Sequence, residues 1–474
     1  MKTDFSLTGY LSEFLKGFLV LNIIAFSFIS LTGCNKFVEV PSPITQIATT
    51  DVFNSDATAT SSVVGTYSRM MSSSGFASGQ GGSVTVLSGL SSDELTNFST
   101  DASVVQFYKN ALSPSNTTLG TNQWNEEFTY IYASNAILEG LASSNSVTDS
   151  IKKELEGEAR FIRAFCNFYL VNLFGDIPIV TSTDYRVNGL LKRSPASQVY
   201  DSIISDLKIA QQQLASDYSV SGGERIRPNK WAATALLARI YLYLKNWTAA
   251  EDQATSVINN TVLYTLVPDL NSIFLKNSSE AIWQLMPVQS GQNTGEGYTF
   301  ITTDYPQVAT ISPELFNAFE PNDQRKIDWI DSIIVSNQTF YYPFKYKVRA
   351  SEIITEYSMV LRLAEQYLIR SEARAELNNL SGAADDLNAI RQRAGLPVTT
   401  AVDQPSILAA IQHERQMELF TEWGHRWLDL KRTGQATNVL APVKGADWQS
   451  TDTLYPIPQG DISRDPNLTQ NPGY

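Results

Sequence analysis

Two pairs of adjacent carboxylates, Asp93-Glu94 and Glu126-Glu127, have the side-chain chemistry that hydrolysis of a glycosidic bond requires. That reaction needs two carboxyl groups that face each other across the sugar, about 5–9.5 Å apart. Adjacent residues on one segment do not establish such a geometry. A glycoside hydrolase therefore remains a remote alternative, and it would require turnover that disappears when Asp93 or Glu94 is neutralised.

The two histidines, His413 and His425, are the other residues that could carry catalysis. They lie twelve positions apart on predicted helix, and neither has a second His or Cys at ligand spacing. A zinc site and a Ser-His-Asp site are therefore not expected. The glycine-rich run 291–297 lacks the Lys-Ser/Thr pair that a phosphate-binding loop needs. We predict a protein that is not an enzyme and that has no metal site and no cofactor.

A cysteine follows an apolar run near the N-terminus. The run 18–31 has the length of a signal-peptide core, with Lys2 and Lys16 before it, and it is shorter than the roughly 20 residues of a membrane-spanning helix. It ends in Leu-Thr-Gly-Cys at 31–34, which resembles the lipobox of bacterial lipoproteins. That resemblance implies cleavage before Cys34 and acylation of this residue. The alternative is an ordinary secretory signal with a chance cysteine.

Length and charge limit what the exported part can be. Removing 33 of the 474 residues leaves 441, enough for one elaborate domain or two closely packed parts. The formal net charge of −13 argues against a nucleic-acid partner. Apart from Cys34 the chain has only Cys166, which is expected to be a core residue. We divide the chain into a signal peptide (1–33), a lipidated tether (34–50) and one domain (51–474).

The periodicity of apolar residues predicts a mostly α-helical fold. Apolar side chains recur at helical spacing from Leu155 to Phe174, and Gly175 followed by Pro178 ends that helix. The helical scaffold is predicted at about 122–265 and 357–434. Loop-rich parts are predicted at about 75–114 and 268–356, where Gly, Asn, Ser and Thr are frequent.

An internal repeat lies within the predicted scaffold. The segments 238–242 and 249–252 match 373–377 and 383–386, with nearly equal spacing and paired alanines. Small residues at these positions permit close packing of helices, and the pattern resembles tetratricopeptide repeats. Two unrelated amphipathic hairpins are the alternative.

Five blocks in a fixed order resemble the SusD/RagB family of outer-membrane nutrient-uptake lipoproteins of Bacteroidota. The resemblance covers essentially the whole chain after the signal peptide. Its blocks are 158–164 leading to Leu-Phe-Gly-Asp-Ile-Pro at 173–178; 232–243 with Trp247 and Ala250; 361–365 onward to 390–396; 414–419 with Glu422, Gly424, Arg426, Asp429, Leu430 and Gly434; and Pro-Ile-Pro at 456–458 with Asn467 and 470–474.

The resemblance implies a SusD-like α/α superhelix, in which a tetratricopeptide-like scaffold carries an irregular ligand-binding part. It also implies a protein anchored in the outer membrane and facing the exterior. Its partner would be the barrel of a SusC-like TonB-dependent transporter, to which it delivers a captured nutrient, usually a glycan. One departure concerns sorting, because residues 35–39 lack the dense acidic run often associated with surface export in these bacteria.

The charged residues near the C-terminus are interpreted as structural. Arg415, Glu418, Glu422, Arg426 and Asp429 recur at steps of three or four, which predicts one helical face on which they pair. Arginine and carboxylate groups of this kind tie a helix end to neighbouring loops.

Binding of a sugar requires exposed aromatic rings for its C–H faces and amide or charged groups for its hydroxyls. We expect such a site in the loops 75–110 and 285–310. No family motif marks the residues, and ordinary core packing is the alternative for each ring. Trp283 is assigned to a core strand. The predicted ligand-binding residues are Phe76, Asn97, Phe98, Asn293, Tyr298, Phe300 and Tyr305, with Gln292 as a further hydroxyl partner.

Two further functions stay open at this point. A peptide or glycopeptide binder would show mainly backbone donors and charge at the site, where a glycan binder would show stacking aromatics. A structural lid without its own ligand would tolerate the loss of the loop aromatics.

Overall fold

A computed structural model describes residues 49–72 and 75–474. The predicted signal peptide, the lipidation site Cys34 and the tether as far as residue 48 lie outside the described residues. The helices are, as α1–α19, Thr49–Val52, Asp56–Ser72, Val84–Ser91, Ala102–Lys109, Glu126–Ser143, Asp149–Phe174, Tyr185–Asn188, Ala196–Gln213, Lys230–Tyr243, Trp247–Ile258, Gly295–Phe300, Pro313–Ala318, Gln324–Asp328, Leu363–Glu376, Leu380–Arg393, Gln404–Leu419, His425–Arg432, Ala436–Lys444 and Gln459–Arg464. The strands β1–β6 are Leu95–Asn97, Ala281–Leu285, Ala309–Ile311, Ile330–Val335, Gln338–Pro343 and Ser358–Arg362.

The scaffold is a continuous array of helices, each packed on the next: α5, α6, α8, α9, α10, α14, α15 and α16. The longest of them, α6, buries an apolar stripe that includes Leu155, Ile162 and Phe165. It ends as the sequence predicts, because Gly175 adopts φ +75° and its N–H donates to the Val171 carbonyl at 3.0 Å. Cys166 is fully buried in this helix, as predicted. The mostly helical fold is confirmed.

The repeat seen in the sequence is confirmed as two equivalent hairpins, α9–α10 and α14–α15. Each turn contains one residue with a left-handed backbone, Lys245 in the first hairpin and Asn378 in the second. Each turn is then followed by an asparagine that caps the second helix: Asn246 accepts from the N–H of Ala249, and Asn379 accepts from that of Gly382. The same turn at the same place in both hairpins disfavours the alternative of unrelated hairpins.

The two loop-rich parts are more regular than predicted. Region 75–114 contains the helices α3 and α4, which start at the side-chain caps Ser83 and Asp101. All of α3 is buried, so it shows no amphipathic period that could have revealed it. Region 268–356 contributes to three two-stranded antiparallel sheets, β1–β3, β2–β6 and β4–β5. Trp283 lies in β2 with no exposed surface, as predicted.

One prediction about the C-terminal charges is wrong. The residues from Arg415 to Asp429 do not share a helical face, because α16 ends at Leu419 and α17 starts at His425. Between them Thr421, Trp423 and Gly424 have positive φ and turn the chain. Across the turn, Arg415 of α16 still pairs with Asp429 of α17.

Candidate functional site

The two segments in which the site is predicted meet along the sheet β1–β3. Leu95 pairs with Ile311 and Asn97 with Ala309 in an antiparallel register. Directly after β1, the N–H of Phe98 donates to the carbonyl of Val308 at 2.9 Å. Residues separated by more than two hundred positions therefore lie side by side.

Three aromatic rings form a cluster at this junction. The ring centroids of Phe98 and Tyr305 are 5.6 Å apart, and each is within 5.4 Å of the ring of Phe340, all in edge-to-face geometry. Phe340 is buried beneath them, Phe98 is half-buried, and 49% of Tyr305 is exposed. The cluster thus offers an aromatic surface that is fixed from below and open above. Sequence reasoning missed Phe340, whose strand carried no distinguishing motif.

Tyr298 lies on α11 and forms a separate contact. The guanidinium carbon of Arg349 is 4.8 Å from its ring centroid, a cation–π arrangement. The Nε–H of Arg349 also donates to the Ile301 carbonyl at 3.1 Å, which fixes the guanidinium. Tyr298 is 39% exposed. Within the described residues it makes no ring contact with Phe98 or Tyr305, so the structure does not join it to their cluster.

Three predicted ligand residues are buried, and this corrects their assignment. Phe76 has no exposed surface and packs edge-on against Tyr169 at 5.1 Å. Phe300 is 3% exposed. Asn293 is also fully buried, and it joins two loops by accepting from the N–H of Glu356 and donating to the carbonyl of Ile353, both at 3.0 Å. Side chains enclosed in this way have no face for a ligand.

The two predicted amide groups are engaged in local contacts. Asn97 donates to the carbonyl of Ser99 at 2.8 Å and accepts from its N–H at 3.2 Å, which shapes the loop beside Phe98. Gln292 accepts from Gln80 at 3.4 Å. Both side chains are half-buried.

The carboxylate pair Asp93-Glu94 is part of the interior. Both oxygens of Asp93 accept from Arg426 at 2.7 Å. Glu94 is 1% exposed, and burial, with the neighbouring Asp93 charge, raises its pKa to about 8. Neither carboxyl reaches a substrate at the surface. Glu127 of the second pair is fully buried as well.

The charges of α16 and α17 are held in ion pairs, as their structural interpretation predicts. Glu418 accepts from Arg325 at 3.0 Å and from Arg362 at 2.6 Å, and Arg415 donates to Asp429 at 2.8 Å. These side chains are almost wholly buried. The surrounding guanidinium groups hold the pKa of Glu418 well below its usual value, against the effect of burial. The network ties α16 to Arg325 and Arg362 in earlier segments and to Asp429 on α17, and these charges are used in packing.

Other kinds of site find no support in the described part of the chain. No group of three or more His, Cys, Asp and Glu side chains there is placed to hold a metal ion. In the same residues no helix combines the length and the apolar character needed to cross a membrane.

Two family models match this chain. One, described as "Starch-binding associating with outer membrane", matches residues 36–242, and the other, described as "SusD family", matches residues 328–474. Between them they include most of the five blocks noted in the sequence, although Trp247 and Ala250 lie outside both matched ranges, and most of the helical scaffold. The chain belongs to the SusD/RagB family.

Curated SusD relatives align over most of their length. SusD-like protein P25 of Formosa agariphila is 25% identical, over 95% of this chain and 98% of that protein. Starch-binding protein SusD of Bacteroides thetaiotaomicron is 22% identical, over 70% of this chain and 75% of that protein. The residues that face a ligand are not transferable at this level of identity.

Solved structures of the SusD superfamily share the fold. A Bacteroides vulgatus member superposes with a TM-score of 0.78 at 19% identity, covering 89% of this chain and all of that one. A laminarin-binding SusD-like protein gives a TM-score of 0.73 at 23% identity, also over 89% of this chain and all of that one.

Proposed function

We propose that this SusD/RagB protein is a lipid-anchored, non-enzymatic subunit that captures an oligosaccharide and delivers it to a SusC-like TonB-dependent transporter in the outer membrane. The contact between Phe98 and Tyr305 carries the proposal. It unites two distant loop segments in one partly exposed aromatic surface. The names of a starch-binding relative and a laminarin-binding structural neighbour support a glycan as the ligand.

The rings of Phe98 and Tyr305 are held in place before a sugar binds. Phe340 supports both Phe98 and Tyr305 from below, so neither ring has to be ordered when a ligand arrives. Tyr305 is open to solvent and offers a face on which the C–H groups of a sugar ring can stack. Of the residues predicted from the sequence, the proposed site keeps Asn97, Phe98 and Tyr305, whereas Tyr298 forms a separate contact with Arg349.

Binding is tested by calorimetry with laminarin-derived and starch-derived oligosaccharides. Tyr305→Ala and Phe98→Ala should each weaken binding by about 1–3 kcal/mol, the loss found when a stacking aromatic is removed. Tyr185→Ala is the matched control, since Tyr185 is 81% exposed at a distant helix and should leave affinity unchanged. If Tyr305→Ala and the wild-type protein bind the oligosaccharide with equal affinity, the aromatic cluster is not part of the binding site.

A peptide or glycopeptide ligand is the second candidate, and Arg349 is the observation that favours it. Its guanidinium lies against Tyr298, where it could pair with a carboxylate of a peptide. Arg349→Gln should then reduce binding of acidic peptides and leave neutral oligosaccharides unaffected. If neutral oligosaccharides bind the Arg349→Gln variant as tightly as the wild-type protein but bind Tyr305→Ala more weakly, the ligand is a glycan rather than a peptide.

The anchor and the partner need tests in membranes. Cys34→Ser should move the protein out of the membrane fraction and abolish labelling by a lipid precursor. Retention in the membrane would contradict the anchor. The partnership with a transporter is tested by purifying the wild-type protein from outer membranes, where a TonB-dependent barrel should co-purify with it. Recovery of the protein without such a barrel would contradict this part of the proposal.

A further inference from the structure

A cavity of about 620 Å³ lies within the helical scaffold, away from the aromatic cluster. Its walls come from the end of α9, the start of α10, the end of α14, and parts of α16, α17 and α18. Sites for small ligands are usually concave and occupy about 300–1,000 Å³. The size of this cavity therefore suits a small molecule or a short segment of an oligomer.

The apolar part of the lining includes the indole ring of Trp247. Trp247, the first residue of α10, lines the cavity and is half-buried, and among the described residues it has no aromatic or cationic partner. Other tryptophans of the chain are engaged; Trp427, for example, stacks on Tyr455 at 6.0 Å. Leu408, Leu430 and Val439 complete the apolar surface. Trp247 also packs against the hydrophobic core. An aromatic ring that lines a cavity beside aliphatic groups can accept the C–H face of a sugar.

The polar part of the lining offers neutral hydrogen-bonding groups. Gln412, Gln416 and Gln435 line the cavity, and the amide of Gln412 donates to Glu372 at 2.9 Å. Tyr243 lines it as well, and its hydroxyl oxygen is enclosed but has no hydrogen-bond partner within the described part of the protein. An enclosed hydroxyl without a partner is costly, so a bound water or a ligand hydroxyl is expected beside it.

The charged groups of the lining are matched among themselves. Arg432 binds Glu372 through two hydrogen bonds of 2.6 and 2.8 Å, and it donates to Asp429 at 2.7 Å. Of the other ionisable groups, Lys245 lies near Glu376 and Arg426 binds Asp93. Burial lowers the pKa of His413, which lies 3.6 Å from Glu320, and so favours the neutral imidazole. No unmatched charge is left to select an ionic ligand. A neutral ligand rich in hydroxyl groups fits this lining best.

We propose that the cavity is a second saccharide site, which takes a short neutral segment of an oligosaccharide, with Trp247 as the stacking ring and the Tyr243 hydroxyl as one of its polar contacts. The inference rests on the proposed function, because it extends glycan capture to a second place on the same protein. It makes no use of the cluster around Tyr305. The two sites therefore predict separate responses to mutation.

Calorimetry of the mature protein with neutral tri- to hexasaccharides from laminarin and from starch tests the inference. The wild-type protein should bind two short oligosaccharides. Trp247→Ala should weaken one of these events at least tenfold and leave the other unchanged, and Tyr305→Ala should affect only the other. Trp231→Ala is the matched control, since Trp231 lies in the first turn of α9, lines a different cleft and is also half-buried.

Tyr243→Phe keeps the inference testable if Trp247→Ala fails to fold, because it deletes only one hydroxyl. It should weaken the same binding event about three- to tenfold. A single binding event that depends on Tyr305 and is unaffected by Trp247→Ala and Tyr243→Phe would overturn the second site and leave the proposed function intact. No binding of any oligosaccharide by the wild-type protein would overturn both.

Discussion

Arg426 holds Asp93 through two hydrogen bonds of 2.7 Å each, although the two residues are 333 positions apart. Arg426 lies on α17 in the C-terminal part of the chain, and Asp93 lies two residues before β1. The main-chain carbonyl of Asp93 accepts from the hydroxyl of Ser312, which directly follows β3. This ion pair therefore fixes the start of the sheet that brings Phe98 to its place.

Removal of Arg426 should destabilise the protein substantially. The Arg426 and Asp93 side chains are only 13% and 5% exposed, so Arg426→Ala leaves a buried carboxylate without its partner. We expect the free energy of unfolding to fall by about 3–5 kcal/mol, measured by urea denaturation. Arg186→Ala breaks the exposed pair with Asp184 and should leave the free energy of unfolding nearly unchanged. Equal effects of the two substitutions would contradict a structural role for the Asp93 pair.

Phe76→Ala should affect stability, in keeping with its buried position. The ring packs against Tyr169 and Trp423, and its loss leaves a cavity in the core. The expected cost is about 3–5 kcal/mol in the free energy of unfolding. Tyr298→Ala, at a partly exposed ring, should leave the denaturation midpoint nearly unchanged. If Phe76→Ala has wild-type stability but binds glycan more weakly, Phe76 is a ligand-binding residue and its assignment to the core is wrong.

The helical scaffold was predictable because its signals are local. A few helical turns of sequence are enough to show the apolar stripe of α6 and the end of that helix at Gly175. The same holds for the paired alanines of the two hairpins. The helix α3 was not predictable in this way. It is buried on every side, and its Gly- and Ser-containing sequence resembles a loop until its neighbours are known.

The candidate site was only partly predictable because its contacts are long-range. Glycine-rich neighbours made Phe76 and Asn293 look like exposed loop residues, yet their burial depends on segments far away in sequence, such as the one containing Trp423. For the same reason Phe340 was missed, since only the folded chain places it under Phe98. Composition identified the right segments, but not which side chains face outward.

Ala250→Trp should overpack the first repeat hairpin. Ala250 has no exposed surface on α10, where that helix lies against α9. A large side chain there has to displace the neighbouring helix, at a cost of about 1–3 kcal/mol or more in the free energy of unfolding. Thr248→Trp, two residues earlier and on the exposed side of α10, is the control and should be nearly neutral. A neutral result at Ala250 would contradict the close packing of the repeat.

The stability of the protein should also depend on the protonation of Glu94. Burial raises its pKa from about 4.5 to about 8 in the folded state, with the adjacent Asp93 as a further cause. The folded protein therefore holds a proton that the unfolded chain releases above about pH 4.5. This contribution to stability is complete below that pH and is lost as the pH rises toward 8, by about 1.4 kcal/mol per pH unit for one proton.

Glu94→Gln isolates this effect, because glutamine keeps the shape of the protonated side chain and does not titrate. Urea denaturation of both proteins between pH 5 and pH 8 should show the wild-type protein losing more stability than the variant as the pH rises. Glu154 and Glu296, whose pKa values burial raises to about 7, contribute equally to both curves and cancel in the difference. Parallel curves for the two proteins would mean that Glu94 is ionised at neutral pH in the folded state.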